Sequence, residues 1–376
     1  MAGHPAALIV GVEAVDGNVA CAVVNAVDAR VLARRQVASV LTWDISALSH
    51  ADTASASILA VVTECLAGVP SAQGGWAGVI AICVATTAVD LGGEEAEAAL
   101  RAAFRTRLPD AVKVLVYNSG AAALASGTGG PLLGCALVAG IESSRAYGAM
   151  SDRRTAAASG WGPVFSDGGC AYDLGMRALS AVSRAQDGRG ADTLLVNAVC
   201  RHLGVQRTEE LIRWARNHAT IPARVSGVAG LAGVVLDCAS RGDTVADALL
   251  RHATGELLRA AKAVATKLGL DRSRQPFNLV LTGPMLKDGT LFMQYLLEVL
   301  KDGLPNADVI YPQGDGAEAA AWLALYLLDP QRPMPQLRRG LSGQSPGPAA
   351  KRRRPPSPFR RSTSAPAPRQ LCGPPA

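Results

Sequence analysis

Aromatic residues and long apolar runs are both scarce in this sequence of 376 residues. Phe, Trp and Tyr make up only 4% of it although 49% of the residues are hydrophobic, so Ala and Val must fill most of the core. No uncharged apolar run reaches the roughly 18 residues that a membrane-spanning helix needs. The N-terminus also lacks the basic segment that precedes the apolar part of a secretion signal. We therefore expect a soluble, cytoplasmic protein that does not enter a membrane.

Paired metal-ligating or disulfide-forming residues are also missing. The eight cysteines include no C-x-x-C pair, and the five histidines are isolated along the chain. Scattered cysteines in apolar sequence are typical of buried, reduced thiols rather than of disulfides or zinc ligands. The sequence therefore predicts no protein-bound metal.

Acidic residues are absent from Pro330 onward, and this absence accounts for the net charge of +6. Residues 1–329 hold 27 basic against 31 acidic residues, so nucleic-acid binding is not expected of this part. The tail holds twelve of the 22 prolines and little that could be buried, so we predict that residues 330–376 are disordered. A basic run in the tail consists of Lys351, Arg352, Arg353 and Arg354. This run could direct nuclear import, contact a polyanion or simply aid solubility.

The pattern of apolar segments predicts two α/β halves. Residues 1–118 favour the order β-β-β-α-β-α-β, with Asp-Gly in "VDGN" as the first hairpin turn and Asp52 or Thr53 capping the first helix. A second helix is predicted over "EEAEAALRAAFRTRL", which begins at Glu94. Strands and helices then alternate less regularly over 119–329, where a hairpin flanks "GIESSR" and the last helix is expected to pack back on the first half. Ligands of such proteins bind in the cleft between the halves.

Several segments together resemble the N-acetylglucosamine kinase and BadF/BadG ATPase family of the actin-like, hexokinase-like ATPase superfamily. "SGWGPVFSDGGCAYDLGMRAL" is similar to the family's G-G-W-G…G-D-E-G-S-A-Y segment, and "VYNSGAAALASGTGG" to its N-D-x-x-x-A-L segment. "LVLTGPM" and "GAEAAAWLAL" resemble the strand turn and final helix on the adenosine side. The likeness runs in order over roughly residues 6–328 and implies two ribonuclease-H-like domains, 1–118 and 119–329, around a central cleft.

The resemblance implies a sugar site and a nucleotide site. The residues that would contact the sugar are Asn118, Gly160, Trp161, Gly162 and Asp167. Those that would lie near the nucleotide are Glu13, Asp16, Gly17, Gly140, Ser143, Gly230 and Gly283. The alternative for the glycine-rich segment is a loop that only turns the chain into the next helix, with Asp167 as a cap. The triplet Arg241-Gly242-Asp243 is interpreted as a helix boundary, with Asp243 or Thr244 as the cap.

Three positions depart from the family pattern. The first phosphate hairpin has Glu13 in place of Asp and lacks the glycine triplet, and "GIESS" keeps one glycine but places Glu142 where its charge would repel phosphate. Ser119 stands where the family has the Asp that accepts the proton of the sugar hydroxyl. A serine hydroxyl cannot act as that base unaided, because its pKa is far too high.

These observations leave three hypotheses. The first is a kinase that uses Mg-ATP to phosphorylate an amino sugar, and a homodimer is left open. The second is a pseudokinase that keeps sugar or nucleotide binding for a regulatory role. The third, ranked last, is an activator of a radical dehydratase, which would need cysteine-bound iron and sulfur.

Overall fold

The computed structural model describes residues 7–15, 17–38, 48–72, 75–165, 167–216 and 221–331. Asp16 and the chain beyond residue 331 lie outside these ranges, and with them the predictions of tail disorder and of a role for the basic run at 351–354. Within the described residues, no helix is both long and apolar enough to cross a membrane.

The first sheet is formed by the N-terminal third of the chain. Its strands are β1 (Leu8–Val15), β2 (Asn18–Asn25), β3 (Val31–Ala38), β4 (Val79–Thr86) and β5 (Lys113–Asn118). They lie in the order β3-β2-β1-β4-β5, with β1 antiparallel to β2 and parallel to β4. The helices of this part are α1 (Leu48–Ala67) and α2 (Thr87–Arg105).

Burial along these strands follows from their place in the sheet. β1 and β4 are almost entirely buried, as expected of strands that have helices on both faces and apolar sequence throughout. β3 lies at one edge of the sheet, and its Arg34 and Arg35 are exposed. Charged side chains on an edge strand discourage pairing with other chains.

The second sheet is formed by the remainder of the described chain. Its strands are β6 (Gly134–Ala139), β7 (Ser144–Ala149), β8 (Thr155–Ser159), β9 (Phe277–Thr282) and β10 (Ala307–Ile310). The helices of this part are α3 (Ser119–Thr128), α4 (Ala171–Gln186), α5 (Leu195–His202), α6 (Glu210–Arg216), α7 (Ile221–Ser240), α8 (Thr244–Leu268), α9 (Leu291–Gly303) and α10 (Gly316–Leu328).

The two sheets share one topology. The second has the order β10-β9-β6-β7-β8, so each sheet consists of an antiparallel meander of three strands followed by two parallel strands beside the first. The predicted duplicated α/β architecture, with a hairpin at "GIESSR", is therefore confirmed. The predicted boundary between residues 118 and 119 coincides with the junction of β5 and α3, and the division into two domains stays a prediction.

Helices α3 and α10 join the two halves through a shared apolar core. α3 contacts strands of both sheets, and α10 packs on β1, β2, β4 and α3. The approach of α10 is so close at Gly11 that a Cβ there would lie 2.5 Å from Ala321 N. A Cβ at Gly120 of α3 would similarly lie 2.7 Å from the ring of Tyr147. Glycine is required at both positions because these elements touch backbone to backbone or backbone to ring.

The predicted start of the first helix is wrong, and that of the second helix holds for only part of α2. α1 already begins at Leu48, so Asp52 and Thr53 lie inside the helix and do not cap it. α2 consists of two helices that meet at a kink at Gly93. The predicted start at Glu94 fits the second of them, whereas the first begins at Thr87, with the Thr86 side chain accepting the Ala88 N–H as N-cap, and was not predicted. The helix geometry is interrupted at Gly93, where φ is 58°, and this break hid the first turn of α2 from the sequence pattern.

Other local predictions are confirmed. The Asp243 side chain caps α8 by accepting the Ala246 N–H at 2.7 Å. The seven cysteines among the described residues are free and buried. Cys372 lies outside the described residues.

Candidate active site

The carboxyl ends of β1, β4 and β5 meet at one edge of the first sheet. In the register of these parallel strands, Ala14 is beside Thr86, and Thr86 is beside Asn118. A helix begins directly after β4 and another directly after β5, so side chains from the two helix starts are brought together. Ligands of open α/β sheets bind at such an edge.

Asn118 and Ser119 lie where β5 passes into α3. The Asn118 Oδ1 accepts the Ala121 N–H at 2.8 Å and so caps α3. Burial raises the pKa of Tyr147 on β7 to about 12, although the nearby Asn118 side chain lowers it in part. Asn118 thus ends β5 and caps α3, and Ser119 is placed as the first residue of α3.

Asp90 is the site residue that the sequence pattern did not indicate. It lies in the first turn of α2, and its side chain is only 3% exposed. Its Oδ1 accepts the Ser119 N–H at 3.2 Å, and its Oδ2 accepts the Ser119 hydroxyl. The guanidinium of Arg145 on β7 lies 2.7 Å from Oδ1. Ser119, where the sequence lacks the expected carboxylate, is therefore in contact with the carboxylate of Asp90 from another helix.

The environment of Asp90 acts on its acidity in two directions. Burial raises the pKa of this carboxyl, and the Arg145 charge and the hydrogen bonds from Ser119 partly offset the increase. The net pKa lies above the usual value for Asp. A carboxylate with a raised pKa binds a proton more readily near neutral pH.

The glycine-rich loop between β8 and α4 is folded around Asp167. The Asp167 Oδ1 accepts hydrogen bonds from the Ser159 hydroxyl and from the Gly160 and Trp161 N–H groups at 3.0, 3.1 and 3.1 Å, and its Oδ2 accepts the Gly162 N–H at 2.7 Å. Ser159, Gly160 and Gly162 have φ of 64°, 84° and 89°, which is the left-handed region. The glycines and the carboxylate therefore specify this loop jointly. Asp167 does not cap α4, whose N-cap is Cys170.

A cavity of about 370 Å³ opens beside this loop. Its wall includes Trp161 and Asp167 from the loop and Glu256 and Arg259 from α8. The Trp161 ring is 69% exposed and lies edge-on to Phe165, with ring centroids 5.6 Å apart. The loop also borders the Asp90 cluster, since a Cβ at Gly160 would lie 3.3 Å from Arg145 Cδ. The structure thus brings Gly160, Trp161, Gly162 and Asp167 together next to Asp90, Ser119 and Arg145.

The "GIESS" hairpin is engaged with the start of α4. Gly140 N–H donates to Ser143 O at 2.9 Å and closes the turn. The carbonyl oxygens of Gly140 and Ile141 accept the N–H groups of Ala171 and Tyr172 at 3.1 and 2.9 Å. At the neighbouring end of β9, Gly283 has φ of 113° and packs against the Ala139 backbone, so that Gly140 and Gly283 lie close together.

The remaining predicted nucleotide residues are placed separately. Glu13 is on β1, and its carboxylate reaches Gly316 at the start of α10, where a Cβ would overlap it. Gly17 follows in the β1–β2 turn with φ of 71°. Gly230 lies in the middle of α7, and the atoms that its Cβ would approach within 4 Å belong to His202 of α5.

The family assignment rests on a match over most of the chain. The model of the BadF/BadG/BcrA/BcrD ATPase family matches residues 11–324. The chain belongs to this family. The matched part includes almost all of both sheets, and only the first strand and the last helix extend a few residues beyond it.

Several relatives of this chain are described as amino-sugar kinases. An N-acetyl-D-glucosamine kinase of Dictyostelium discoideum is 28% identical over 244 residues, which is 65% of this chain and 75% of the relative. An N-acetylmuramic acid/N-acetylglucosamine kinase of Clostridium acetobutylicum is 28% identical over 214 residues, which is 56% of this chain and 67% of the relative. The structure of a candidate N-acetylglucosamine kinase from Chromobacterium violaceum has a TM-score of 0.61 at 23% identity, covering 85% of this chain and 99% of that one. The likeness to the Chromobacterium violaceum structure shows that the two chains share a fold.

Proposed function

We propose that this protein is an ATP-dependent kinase that transfers the γ-phosphoryl group to a hydroxyl of N-acetylglucosamine or a closely related amino sugar. The observation that supports this most is the loop organised by Asp167, which forms one wall of the 370 Å³ cavity next to the Asp90 cluster. The two curated relatives are described as N-acetylglucosamine kinases, which supports the same substrate class.

The sugar site is proposed to be the cavity beside this loop. Its volume of about 370 Å³ suits a small polar ligand. The exposed face of Trp161 offers an apolar surface for the C–H face of a pyranose ring, and the left-handed Gly160 and Gly162 let the backbone approach the sugar closely. Because Asp167 Oδ1 already accepts three hydrogen bonds, a sugar hydroxyl would bond to Oδ2.

The nucleotide is proposed to bind across the two glycine turns and the end of β1. Gly17 and Gly283 both have positive φ, and such turns expose backbone N–H groups to phosphate oxygens. Glu13 supplies a carboxylate oxygen, the ligand type that Mg²⁺ prefers alongside ATP phosphates. The residues present therefore fit Mg-ATP, in which the metal would neutralise charge on the transferred phosphoryl group. Gly230 is not proposed to bind the nucleotide. Because His202 of α5 lies beside it, Gly230 is better interpreted as a residue that lets α7 pack on α5.

Two further proposals come from the sequence alone. Cytoplasmic location follows from the composition, and nuclear import would depend on the basic run at 351–354, outside the described residues. A homodimer stays open.

A sugar-dependent ADP-release assay tests the proposed function. The purified full chain would be supplied with ATP, with or without Mg²⁺, and with N-acetylglucosamine, N-acetylmuramic acid or glucose. We expect ADP release that depends on Mg²⁺ and on an N-acetylated sugar, and loss of sugar affinity but not of ATP affinity in Trp161→Ala. Calorimetric binding of sugar without turnover would overturn the kinase proposal and favour the pseudokinase.

A further inference from the structure

The Ser119 hydroxyl is hydrogen-bonded to a carboxylate from a different helix. The family resemblance places the proton-accepting Asp at position 119, where this chain has Ser. The structure sets Asp90 of α2 against that serine, with both carboxylate oxygens engaged by it: Oδ1 accepts the Ser119 N–H at 3.2 Å and Oδ2 accepts the Ser119 hydroxyl. The contact is possible because β4 and β5 are neighbours, with Thr86 beside Asn118, and each is followed at once by its helix.

We propose that Asp90 and Ser119 act together as the base of the phosphoryl transfer, with Ser119 contacting the sugar hydroxyl and Asp90 receiving the proton. This inference rests on the proposed kinase function. A serine hydroxyl donates one hydrogen bond and accepts two. Because its own proton is directed to Asp90 Oδ2, the Ser119 oxygen can accept a hydrogen bond from the substrate.

The step balances without any further reactant. The sugar hydroxyl gives its proton to Ser119 Oγ while the Ser119 proton passes to Asp90 Oδ2. The sugar oxygen forms a bond to the γ-phosphorus, and the bond from that phosphorus to the bridging oxygen breaks, so the electron pair leaves with ADP. The products are the sugar phosphate, ADP and a proton on Asp90, which later returns to water.

The surroundings of Asp90 suit this role. Arg145 contacts Oδ1 at 2.7 Å and leaves Oδ2 directed at Ser119, so the guanidinium fixes the carboxylate without blocking the proton path. The Asp90 side chain is 3% exposed, and burial in a site of low polarity strengthens its bond to the hydroxyl. Arg145 also borders Gly160, which places the pair at the wall of the loop proposed to bind sugar.

The test compares variants of the full chain in the ADP-release assay with N-acetylglucosamine and Mg-ATP. We expect Asp90→Asn and Ser119→Ala each to lower kcat by about 10²- to 10⁴-fold, with the KM for sugar within about threefold of wild type. The double variant Asp90→Asn/Ser119→Ala should be no slower than either single one, since the residues act as a unit. Asp152→Asn, at an exposed carboxylate paired with Arg154, is the matched control and should keep the wild-type kcat.

A rescue experiment separates chemistry from folding. Ser119→Asp in the Asp90→Asn background should recover kcat by at least about tenfold over Asp90→Asn alone, because a carboxylate then contacts the substrate directly. If Asp90→Asn proves unstable, the kcat of Ser119→Ala still decides. A wild-type kcat in Asp90→Asn or in Ser119→Ala would overturn the inference while the kinase function stands. Absence of sugar-dependent turnover in the wild type would instead overturn the proposed function.

Discussion

Arg145 and Asp90 form a buried ion pair between the two halves, with Nη1 2.7 Å from Oδ1. Arg145 is on β7 of the second sheet, and Asp90 is in the first turn of α2 beside the first sheet. Their side chains are 13% and 3% exposed, so both charges have lost most of their water. In such a pair, each charge stabilises the folded state mainly by offsetting the cost of burying the other charge.

We predict that Arg145→Met lowers the free energy of unfolding by about 3–5 kcal/mol near neutral pH, because it leaves the Asp90 charge buried and uncompensated. Urea unfolding followed by circular dichroism measures this change. Adding Asp90→Asn to Arg145→Met should restore part of the loss. If the double variant were less stable than Arg145→Met alone, the buried charge would not be the cause.

The Arg145→Met deficit should also depend on pH. Burial raises the pKa of Asp90, and a group with a raised pKa contributes stability while protonated that is lost as the pH rises through its folded-state pKa. Arg145 lowers this pKa, so its removal raises the pKa further and enlarges the loss. Unfolding measured from about pH 4 to about pH 7 should show a deficit that grows with pH. A deficit that stays constant over this range would contradict this explanation.

The fold could be predicted because its signals are local. Apolar runs of strand length, hairpin turns and periodic helices recur in a similar order in both halves, and the structure places strands at the apolar runs. The start of α2 could not be predicted in the same way. Gly93 breaks the helix pattern, so the turn that contains Asp90 did not show the periodicity of a helix.

The glycine-rich loop around Asp167 could be predicted from its glycines, but the Asp90 cluster could not. The pairing of Asp90 with Arg145 joins residues 55 positions apart, and no spacing rule in one sequence connects them. One signal was available: Arg145 is a charged residue in a strand whose neighbours Ala146 and Tyr147 are buried. A charge in that setting needs a partner.

We predict that Gly11→Ala is strongly destabilising, because the new Cβ would overlap the Ala317 carbonyl oxygen and crowd Ala321 where α10 packs on β1. Overpacking of this kind costs about 1–3 kcal/mol or more. Gly233→Ala on the exposed face of α7 is the matched control, since nothing lies within 4 Å of its Cβ. Alanine should stabilise that helix by about 0.5–1 kcal/mol. Thermal unfolding of the two variants should shift in opposite directions, and equal shifts would contradict the packing argument.

We predict that Asp167→Ala disorders the loop from Ser159 to Gly162 more than it destabilises the fold. The variant removes the acceptor for three backbone N–H groups and for the Ser159 hydroxyl, at a cost of about 1–3 kcal/mol. Limited proteolysis should cut the variant within this loop faster than wild type, and calorimetry should show weaker binding of N-acetylglucosamine. Asp152→Ala, in an exposed turn, should match wild type in both measurements. Unchanged proteolysis in Asp167→Ala would show that the loop holds its conformation without the carboxylate.

Asp243 should make stability fall at low pH. Burial by itself would raise the pKa of this carboxyl, but hydrogen bonds from the N–H groups of Ala246 and Leu194 and from the Thr193 hydroxyl outweigh it and hold the pKa below the usual value. A group with a lowered pKa contributes stability above its unfolded-state pKa of about 3.9, and this contribution is lost as the pH falls through the folded-state pKa. Asp243→Ala should therefore cost about 0.5–2 kcal/mol at pH 7, with a smaller deficit near pH 3. Asp243→Asn keeps a capping oxygen and should lose less at pH 7. Urea unfolding at both pH values measures these losses in the free energy of unfolding. If Asp243→Ala lost more near pH 3 than at pH 7, the charged cap would not be what stabilises α8.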